Sequence, residues 1–314
     1  MTDPQRHDQA VVFCCDRNYY PMALFMLRQI AFHNPFRRFD FVVASRDDLP
    51  LPDWARDLGL ILHRTGELPA HAEVARFIGT MAPLYRLTLA RELGDRYRRI
   101  LYLDCDMFVE GGDLNGLFQI DIGPHPIAAA LDAYYFFRPN FHAEEYVKAG
   151  LPALAYANTG FQLIETRAYV EQEVERRSLD ICNTHPHAIV LTDQSLTNLA
   201  LRGKFAQLAP CWNWQLNGRY PLIPVRYPVF FRHFVSRKKP DRDSSGWFDT
   251  RFNHAYREFY ATFFPEALEK LAPPCDPAPI PLVEASRIML RHFRGMGLVK
   301  AMIDRHPDPY RARI

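Results

Sequence analysis

The first hundred residues alternate short apolar runs with longer segments of helical pattern. Four runs have polar residues at their ends and predict buried strands: residues 10–15, 39–44, 58–63 and 99–103. Two intervening segments predict helices: residues 20–32, with Pro21 in the first turn, and residues 82–93. Apolar strands that alternate with helices are typical of a mostly parallel sheet covered on both faces. Ligands of such sheets bind at the carboxyl ends of the strands, where the strand order reverses.

The rest of the chain continues this pattern less regularly. Strands are predicted at 127–131 and 159–164, and helices at 166–179, 194–201 and 283–303. From Trp212 onward aromatic residues and prolines dominate, and five of the ten residues at 272–281 are proline. Such a segment is a stiff linker and not a helix. We therefore expect one α/β domain at 1–271, followed by the linker and a C-terminal tail at 272–314.

Composition and charge exclude several classes of protein. The 314 residues are 48% hydrophobic and 24% charged, which is ordinary globular composition, and the formal net charge is +2. We expect no nucleic-acid partner, because the basic excess that drives such binding is missing. Neither a run of about 18 apolar residues nor a secretory signal at residues 1–9 is present. The six cysteines include no C-x-x-C pair, so reduced thiols in a cytoplasmic protein are expected.

Candidate chemistry lies directly after the strand at 99–103. Asp104 and Asp106 are one residue apart, and a chain that stays extended presents both to the same side. Two carboxylates held that close repel each other unless a cation or a proton lies between them. Mg²⁺ and Mn²⁺ prefer such oxygen ligands. The alternative is that the two acids only end the strand and cap the turn that follows.

Further motifs surround this D-x-D pair in a fixed order. They are Cys15-Asp16-Arg17-Asn18-Tyr19, Tyr85-Arg86-Leu87, Asn158-Thr159-Gly160, Asp193-Gln194 and the segment 233–240. The set resembles nucleotide-sugar glycosyltransferases with the GT-A fold, specifically glycosyltransferase family 8, over about residues 11–240. The resemblance implies a Rossmann-like, mixed and mostly parallel sheet with flanking helices, and it makes residues 1–271 the catalytic domain.

The resemblance also implies a set of site residues. Asp104, Asp106 and His233 would hold Mn²⁺, with Mg²⁺ as the alternative, and the ion would neutralise charge on the departing UDP. Three residues would be catalytic, with Arg86 reaching toward the sugar and diphosphate, Asp193 bonding donor hydroxyls and Gln194 lying opposite the leaving group. The remaining implied contacts to the nucleotide sugar are Asp16, Asn18, Tyr19, Cys105, Asp132, Asn158, Thr159 and Lys239.

The function implied by the resemblance is transfer of glucose or galactose from a UDP-hexose with retention of anomeric configuration. The acceptor would be a glycan or glycolipid, such as lipopolysaccharide or another cell-surface glycan. Because Gln194 is a weak nucleophile, the resemblance implies front-face attack, in which the leaving phosphate helps to deprotonate the acceptor. Two departures from the family pattern concern the late loop, since Ser236 replaces a glycine and Asp241 an aromatic residue.

Simpler interpretations stand beside these roles. His233 could belong to an aromatic cluster and Arg86 to a surface salt bridge, and Thr192 or Asp193 could be a helix N-cap. One alternative function is a nucleotide-sugar-binding protein without turnover. Another is a haloacid-dehalogenase-like phosphatase, which also uses D-x-D after a strand. That motif requires a small β-branched residue in place of Phe108.

The C-terminal tail has its own charge pattern. Residues 285–314 contain seven Lys or Arg against two Asp, with apolar residues between them. Such a segment suits peripheral binding to an anionic membrane, here its inner face. The alternative is a solvated helix folded against the domain.

Overall fold

The computed structural model describes residues 7–75, 80–138, 140–217, 220–235, 238–274 and 280–314. A seven-stranded sheet occupies its centre. The strands of this sheet are β1 (Gln9–Cys14), β2 (Asp40–Ser45), β3 (Leu60–Arg64), β4 (Arg99–Leu103), β6 (Ile127–Leu131), β7 (Ala157–Glu165) and β8 (Ala206–Gln207). Two further strands, β5 (Met107–Val109) and β9 (Phe231–His233), form a separate antiparallel pair.

The strand order confirms the predicted α/β class. The order is β3-β2-β1-β4-β7-β6-β8, with parallel pairing from β3 through β4 and again between β6 and β8. Strand β7 runs antiparallel to both of its neighbours. The chain leaves β1 toward β2 on one side and returns to β4 on the other. The carboxyl ends of β1 and β4 therefore form the switch point at which such sheets bind ligands.

Helices cover both faces of the sheet. The α-helices within the described ranges are α1 (Tyr20–His33), α2 (Asp53–Asp57), α3 (Leu89–Leu93), α4 (Leu114–Leu117), α5 (Glu144–Lys148), α6 (Thr166–Glu171), α7 (Val174–Thr184), α8 (Thr192–Leu201), α9 (Thr250–Phe263) and α10 (Leu282–Asp304). Val11 and Phe13 of β1 share a core with α1 and α9, whereas Val12 shares a core with α3. Burial on both faces explains why these strands show no polar alternation.

Two predicted helices differ from the structure in form. The helix predicted at 82–93 begins as a 3₁₀ segment, Ala82–Thr88, and becomes α-helical only in α3. The helix predicted at 166–179 is divided into α6 and α7, because Glu173 between them has a φ of 51°, in the left-handed region. That conformation interrupts the helical hydrogen-bond ladder.

The C-terminal segment contacts the rest of the structure. His292, Val299 and Met302 of α10 are buried. Beyond the helix, Trp212 Nε1 donates a hydrogen bond of 2.8 Å to the carbonyl of Pro309, and the backbone of Arg313 pairs with Gln207 of β8. The predicted linker at 272–281 includes residues 275–279, which lie outside the described residues. Among the described helices, none has the length and apolar character needed to cross a bilayer.

Candidate active site

The two aspartates of the D-x-D pair lie at the carboxyl end of β4, at the switch point of the sheet. The Asp104 N–H donates to the carbonyl of Gly160 on β7 at 2.8 Å, which fixes the chain as it leaves the strand. The chain then enters β5, whose Met107 is paired with His233 of β9. This register brings the histidine beside the aspartates from far along the chain.

Asp104, Asp106 and His233 form a compact cluster. One ligand atom from each residue lies within 4.8 Å of the other two. His233 Nε2 is 3.2 Å from Asp106 Oδ1 and 3.7 Å from Asp104 Oδ2. Two carboxylate oxygens and an imidazole nitrogen thus face a common centre, an arrangement that suits a divalent cation such as Mn²⁺.

The other oxygens of the two carboxylates are already bonded. Asp104 Oδ1 accepts from Arg86 Nη2 at 2.7 Å and from the Tyr102 hydroxyl at 2.6 Å. Asp106 Oδ2 accepts from Lys239 Nζ at 2.5 Å. The inward atom Asp106 Oδ1 is buried and receives no hydrogen bond from the part of the chain that the structure describes. A buried oxygen without a donor is costly unless a cation completes the site, so the residues fit a metal.

Charge keeps Asp106 ionised. Burial alone would raise the pKa of this carboxyl, but the protonated form of the His233 imidazole and the ammonium group of Lys239 hold the pKa well below its usual range. An ionised carboxylate is the form that binds a metal. Lys239 thus contacts Asp106, one of the predicted metal ligands. The sequence does not indicate this contact.

Arg86 is a buried bridge between two aspartates. In addition to Asp104, it contacts Asp193, with Nη1 lying 3.0 Å from Oδ2. Its Nη1 and Nε also donate to the carbonyls of Thr159 and Pro83, and its guanidinium lies 4.1 Å from the Tyr102 ring centroid. Burial opposes its charge, but the two aspartates raise the pKa of Arg86 above its usual value. Arg86 is only 6% exposed, so the alternative of a surface salt bridge is wrong.

The predicted sugar-contacting residues form one network beside the cluster. Gln194 Oε1 accepts from Thr159 N at 3.2 Å, and its Nε2 donates to Asp132 Oδ2 at 3.2 Å. Asn158 Nδ2 donates to the same Asp132 oxygen at 3.4 Å, and Thr159 Oγ1 donates to Asp193 Oδ2 at 3.2 Å. Burial raises the pKa of Asp132. Both ends of the Gln194 amide are therefore fixed by hydrogen bonds.

Asp193 is the buried acid at the start of α8. Burial raises its pKa to about 6, against the opposing effect of Arg86. Leu191 occupies the N-cap position of α8, with no side-chain capping bond. Asp193 is therefore not the N-cap of α8.

The predicted nucleotide loop follows β1. Asp16 Oδ1 accepts from the backbone N–H groups of Asn18 and Tyr19 at 3.0 and 3.1 Å, which forms the turn before α1. Asn18 and Tyr19 are exposed. The Cys105 thiol contacts that of Cys15, and this contact together with burial raises the pKa of Cys105. The loop therefore contacts the D-x-D segment directly, through these two buried thiols.

The two departures from the family pattern have different outcomes. Ser236 lies outside the described residues. Asp241 is buried, and burial raises its pKa. Its carbonyl accepts from Ala272 N at 2.8 Å, and its side chain lies 3.4 Å from Arg242. Asp241 thus joins the segment that follows Lys239 to the chain at Ala272.

Sequence reasoning missed Asn213, a buried amide between two tryptophans. Its Oδ1 lies 3.0 Å from His233 Nδ1, and its Nδ2 donates to Asn158 Oδ1 at 2.8 Å. It also missed Tyr102, whose hydroxyl bonds Asp104. The available signal was a polar residue within an otherwise apolar segment, because such residues need a partner when buried.

Comparison with known proteins agrees with this geometry. A family model described as Glycosyl transferase family 8 matches residues 69–244, more than half of the chain. General stress protein A of Bacillus subtilis is 27% identical over 197 residues, which cover 58% of this chain and 64% of that protein. Lipopolysaccharide glucosyltransferase WaaO of Escherichia coli is 26% identical over 177 residues, which cover 52% of this chain and 50% of that protein. The chain therefore spans between about half and two thirds of the length of these relatives.

Structural comparison gives the same fold. The crystal structure of the galactosyltransferase LgtC in complex with donor and acceptor sugar analogs matches with a TM-score of 0.63 and 16% identity. The match covers 88% of this chain and 99% of LgtC. The predicted GT-A fold is thus confirmed. Since the family model matches more than half of its length, this chain belongs to glycosyl transferase family 8.

Proposed function

We propose that this protein transfers glucose or galactose from a UDP-sugar to a glycan acceptor, in a reaction that depends on Mn²⁺ and retains anomeric configuration. The observation that carries the proposal is the cluster of Asp104, Asp106 and His233. Two oxygens and one nitrogen converge there, directly beside the network of Asp193 and Gln194. The names of WaaO and of the LgtC complex support a sugar donor and a lipopolysaccharide-type acceptor.

The three ligands would hold the ion, which when bound supplies positive charge that stabilises the departing diphosphate. Lys239 lies 2.5 Å from Asp106 and adds a second positive charge at the same position. Arg86 orients Asp104, because its guanidinium bonds the outer oxygen of that carboxylate. These residues fix the nucleotide end of the donor before reaction.

The neighbouring network would bind the sugar. Asp193 accepts hydrogen bonds from donor hydroxyls, and its orientation is set by Arg86 and Thr159. Gln194 presents a fixed amide, because Thr159 and Asp132 bond its two ends. An amide is a weak nucleophile, so this arrangement favours front-face attack. The acceptor oxygen bonds the anomeric carbon as the C–O bond to UDP breaks, and the acceptor proton passes to a departing phosphate oxygen.

A donor-hydrolysis assay tests this function. UDP release is measured with UDP-glucose, UDP-galactose and UDP-N-acetylglucosamine, each with Mn²⁺ and with EDTA. We expect release from UDP-glucose or UDP-galactose only with the metal, and an α-configured product by NMR. Metal-independent release, or hydrolysis of p-nitrophenyl phosphate in its place, would contradict the proposal. Tight binding of UDP without any release would favour the binding protein that lacks turnover.

We also propose that α10 binds the surface of an anionic membrane. The face of α10 opposite its buried stripe exposes Leu282, Leu290 and Phe293, which are 83%, 50% and 59% exposed. Arg291 and Arg294, next in sequence to Leu290 and Phe293, are also exposed. Apolar side chains flanked by arginines suit the boundary between acyl chains and anionic headgroups.

Vesicle sedimentation tests this contact. The protein should sediment with vesicles that contain phosphatidylglycerol and much less with pure phosphatidylcholine vesicles. The double variant Leu290→Ser/Phe293→Ser should lose most of this binding. Phe36→Ser is the matched control, because Phe36 is 88% exposed at a position outside α10. Equal sedimentation of the double variant and the wild type would remove the proposal.

A further inference from the structure

We propose that Asn213 is a positioning residue that sets the tautomer of His233 and couples this metal ligand to the sugar-binding amide of Asn158. The inference rests on the proposed metal site. Asn213 is 2% exposed and ends the 3₁₀ segment Pro210–Asn213. It is a neutral residue that would touch neither metal nor sugar, so its effect acts through the two side chains that it bonds.

The backbone holds Asn213 in register with the histidine. The Trp214 N–H donates to the Phe231 carbonyl at 2.8 Å, and the His233 N–H donates to the Trp214 carbonyl at 3.0 Å. The residue before Trp214 is thereby fixed beside the imidazole of His233. The amide of Asn213 is consequently part of a rigid pairing of two chain segments.

The orientation of the amides follows from one backbone group. The Gly160 N–H can only donate a hydrogen bond. The terminal atom of the Asn158 side chain that lies 3.2 Å from it must therefore be the oxygen. That oxygen is 2.8 Å from Asn213, whose facing atom must be the nitrogen. The Asn213 oxygen then faces His233 Nδ1 at 3.0 Å, and this ring nitrogen must carry a proton.

The consequence concerns the other ring nitrogen. With the proton of the neutral imidazole on Nδ1, Nε2 presents a lone pair toward Asp104 and Asp106, as a metal ligand must. The carbonyl of Gly160 accepts from the Asp104 N–H. The backbone of one residue thus orients an acidic ligand through its carbonyl and the histidine through its N–H, Asn158 and Asn213.

The hydrogen-bonded chain through Asn213 and Asn158 also reaches the residues proposed to bind the sugar. The Asn158 nitrogen donates to Asp132, the carboxylate that holds Gln194. Replacement of Asn213 should therefore separate its two contacts. Asn213→Asp keeps an acceptor for His233 Nδ1 but has no donor for Asn158, whereas Asn213→Ala removes both contacts.

Two measurements test the inference. The tautomer of His233 is determined by ¹⁵N NMR on metal-free protein, with the pH raised until the ring signals are those of the neutral imidazole. Mn²⁺ affinity is determined by electron paramagnetic resonance with the metal alone. We expect Nδ1–H in the wild type and a shift toward Nε2–H in Asn213→Ala, with Mn²⁺ affinity about 10- to 100-fold weaker. Asn213→Asp should restore both the tautomer and the affinity.

Asn217→Ala is the matched control, because Asn217 Nδ2 bonds the backbone carbonyl of His233 at 2.8 Å and not its ring. It should leave tautomer and affinity unchanged. An Nε2–H tautomer in the wild type, or unchanged Mn²⁺ affinity in a folded Asn213→Ala, would overturn the inference. Absence of Mn²⁺ binding by the wild type would instead contradict the proposed function. If Asn213→Ala does not fold, the wild-type tautomer and the Asn213→Asp variant still decide.

Discussion

Gly160 lies directly against the imidazole of His233. A Cβ atom on residue 160 would stand 2.4 Å from His233 Cε1 and 2.5 Å from Asp104 Oδ2, closer than real Cβ contacts allow. Glycine is required here by space, because two of the candidate metal ligands rest on its backbone. The backbone of Gly160 therefore packs against both side chains, and no space remains between them for a methyl group at residue 160.

Gly160→Ala should consequently displace Asp104 or His233 and weaken Mn²⁺ binding by about tenfold or more. Isothermal titration with Mn²⁺ measures the effect. Gly297→Ala is the control, since nothing lies within 4 Å of a Cβ at that helical position. It should leave the affinity unchanged and stabilise the fold by up to about 1 kcal/mol. Wild-type affinity in Gly160→Ala would show that these side chains are not ligands.

Gln194→Ala should slow turnover more than it weakens UDP affinity. The Gln194 amide is fixed by Thr159 and Asp132, where we propose that the sugar of the donor binds. Its loss should therefore act on the reacting carbon and leave nucleotide contacts intact. The measurements are kcat for UDP-sugar hydrolysis and the Kd for UDP. Parallel losses in both would place Gln194 elsewhere.

Arg86→Met should destabilise the protein strongly. It leaves the buried Asp193 and the partly buried Asp104 without their shared cation, and loss of one partner from a buried ion pair costs about 3–5 kcal/mol. Urea unfolding measures the difference. Arg91→Ala is the control, because Arg91 is half exposed in its pair with Glu175 and should contribute about 0–1 kcal/mol. Similar losses in the two variants would argue against a buried bridge.

The buried His306 should make stability depend on pH. Burial, Arg313 and Arg305 lower the pKa of His306 to about 4 in the folded protein. The folded state therefore favours the neutral ring, so this contribution is complete above about pH 6.5 and is lost as pH falls from there toward 4. Thermal unfolding at pH 7.5 and 5 should show a smaller difference for His306→Asn than for the wild type. The exposed His254→Asn serves as control, and an equal pH dependence in all three proteins would contradict the assignment.

The parts of the fold that the sequence predicts are those fixed by local pattern. Strands β1, β2 and β4 are recognisable because both of their faces are buried. Asp104 and Asp106 stand out as acids at the end of such a strand. Strands β5 and β9 have three residues each, so their pairing is set by tertiary contact and leaves no local pattern. The break at Glu173 is likewise a left-handed backbone conformation, and a glutamate at this position does not predict it.

The same distinction applies to the candidate site. His233 is suggested only by its motif, because its approach to Asp106 depends on the β5–β9 register. Asn213 carries a weaker signal still, since a buried amide indicates a partner but not which one. Arg86 contacts both Asp104 and Asp193 and so joins three segments that are distant in sequence. Such contacts cannot be predicted from the local pattern of a single sequence.

The central claim is that the pair of aspartates binds a divalent cation together with UDP. The most direct test is an electron paramagnetic resonance titration of Mn²⁺, with and without UDP, on the wild type and on Asp106→Asn. Circular dichroism would establish that the variant is folded. We expect saturable Mn²⁺ binding that UDP strengthens in the wild type and that is lost in Asp106→Asn. Binding of Mn²⁺ by folded Asp106→Asn with wild-type affinity would contradict a metal site at the two aspartates.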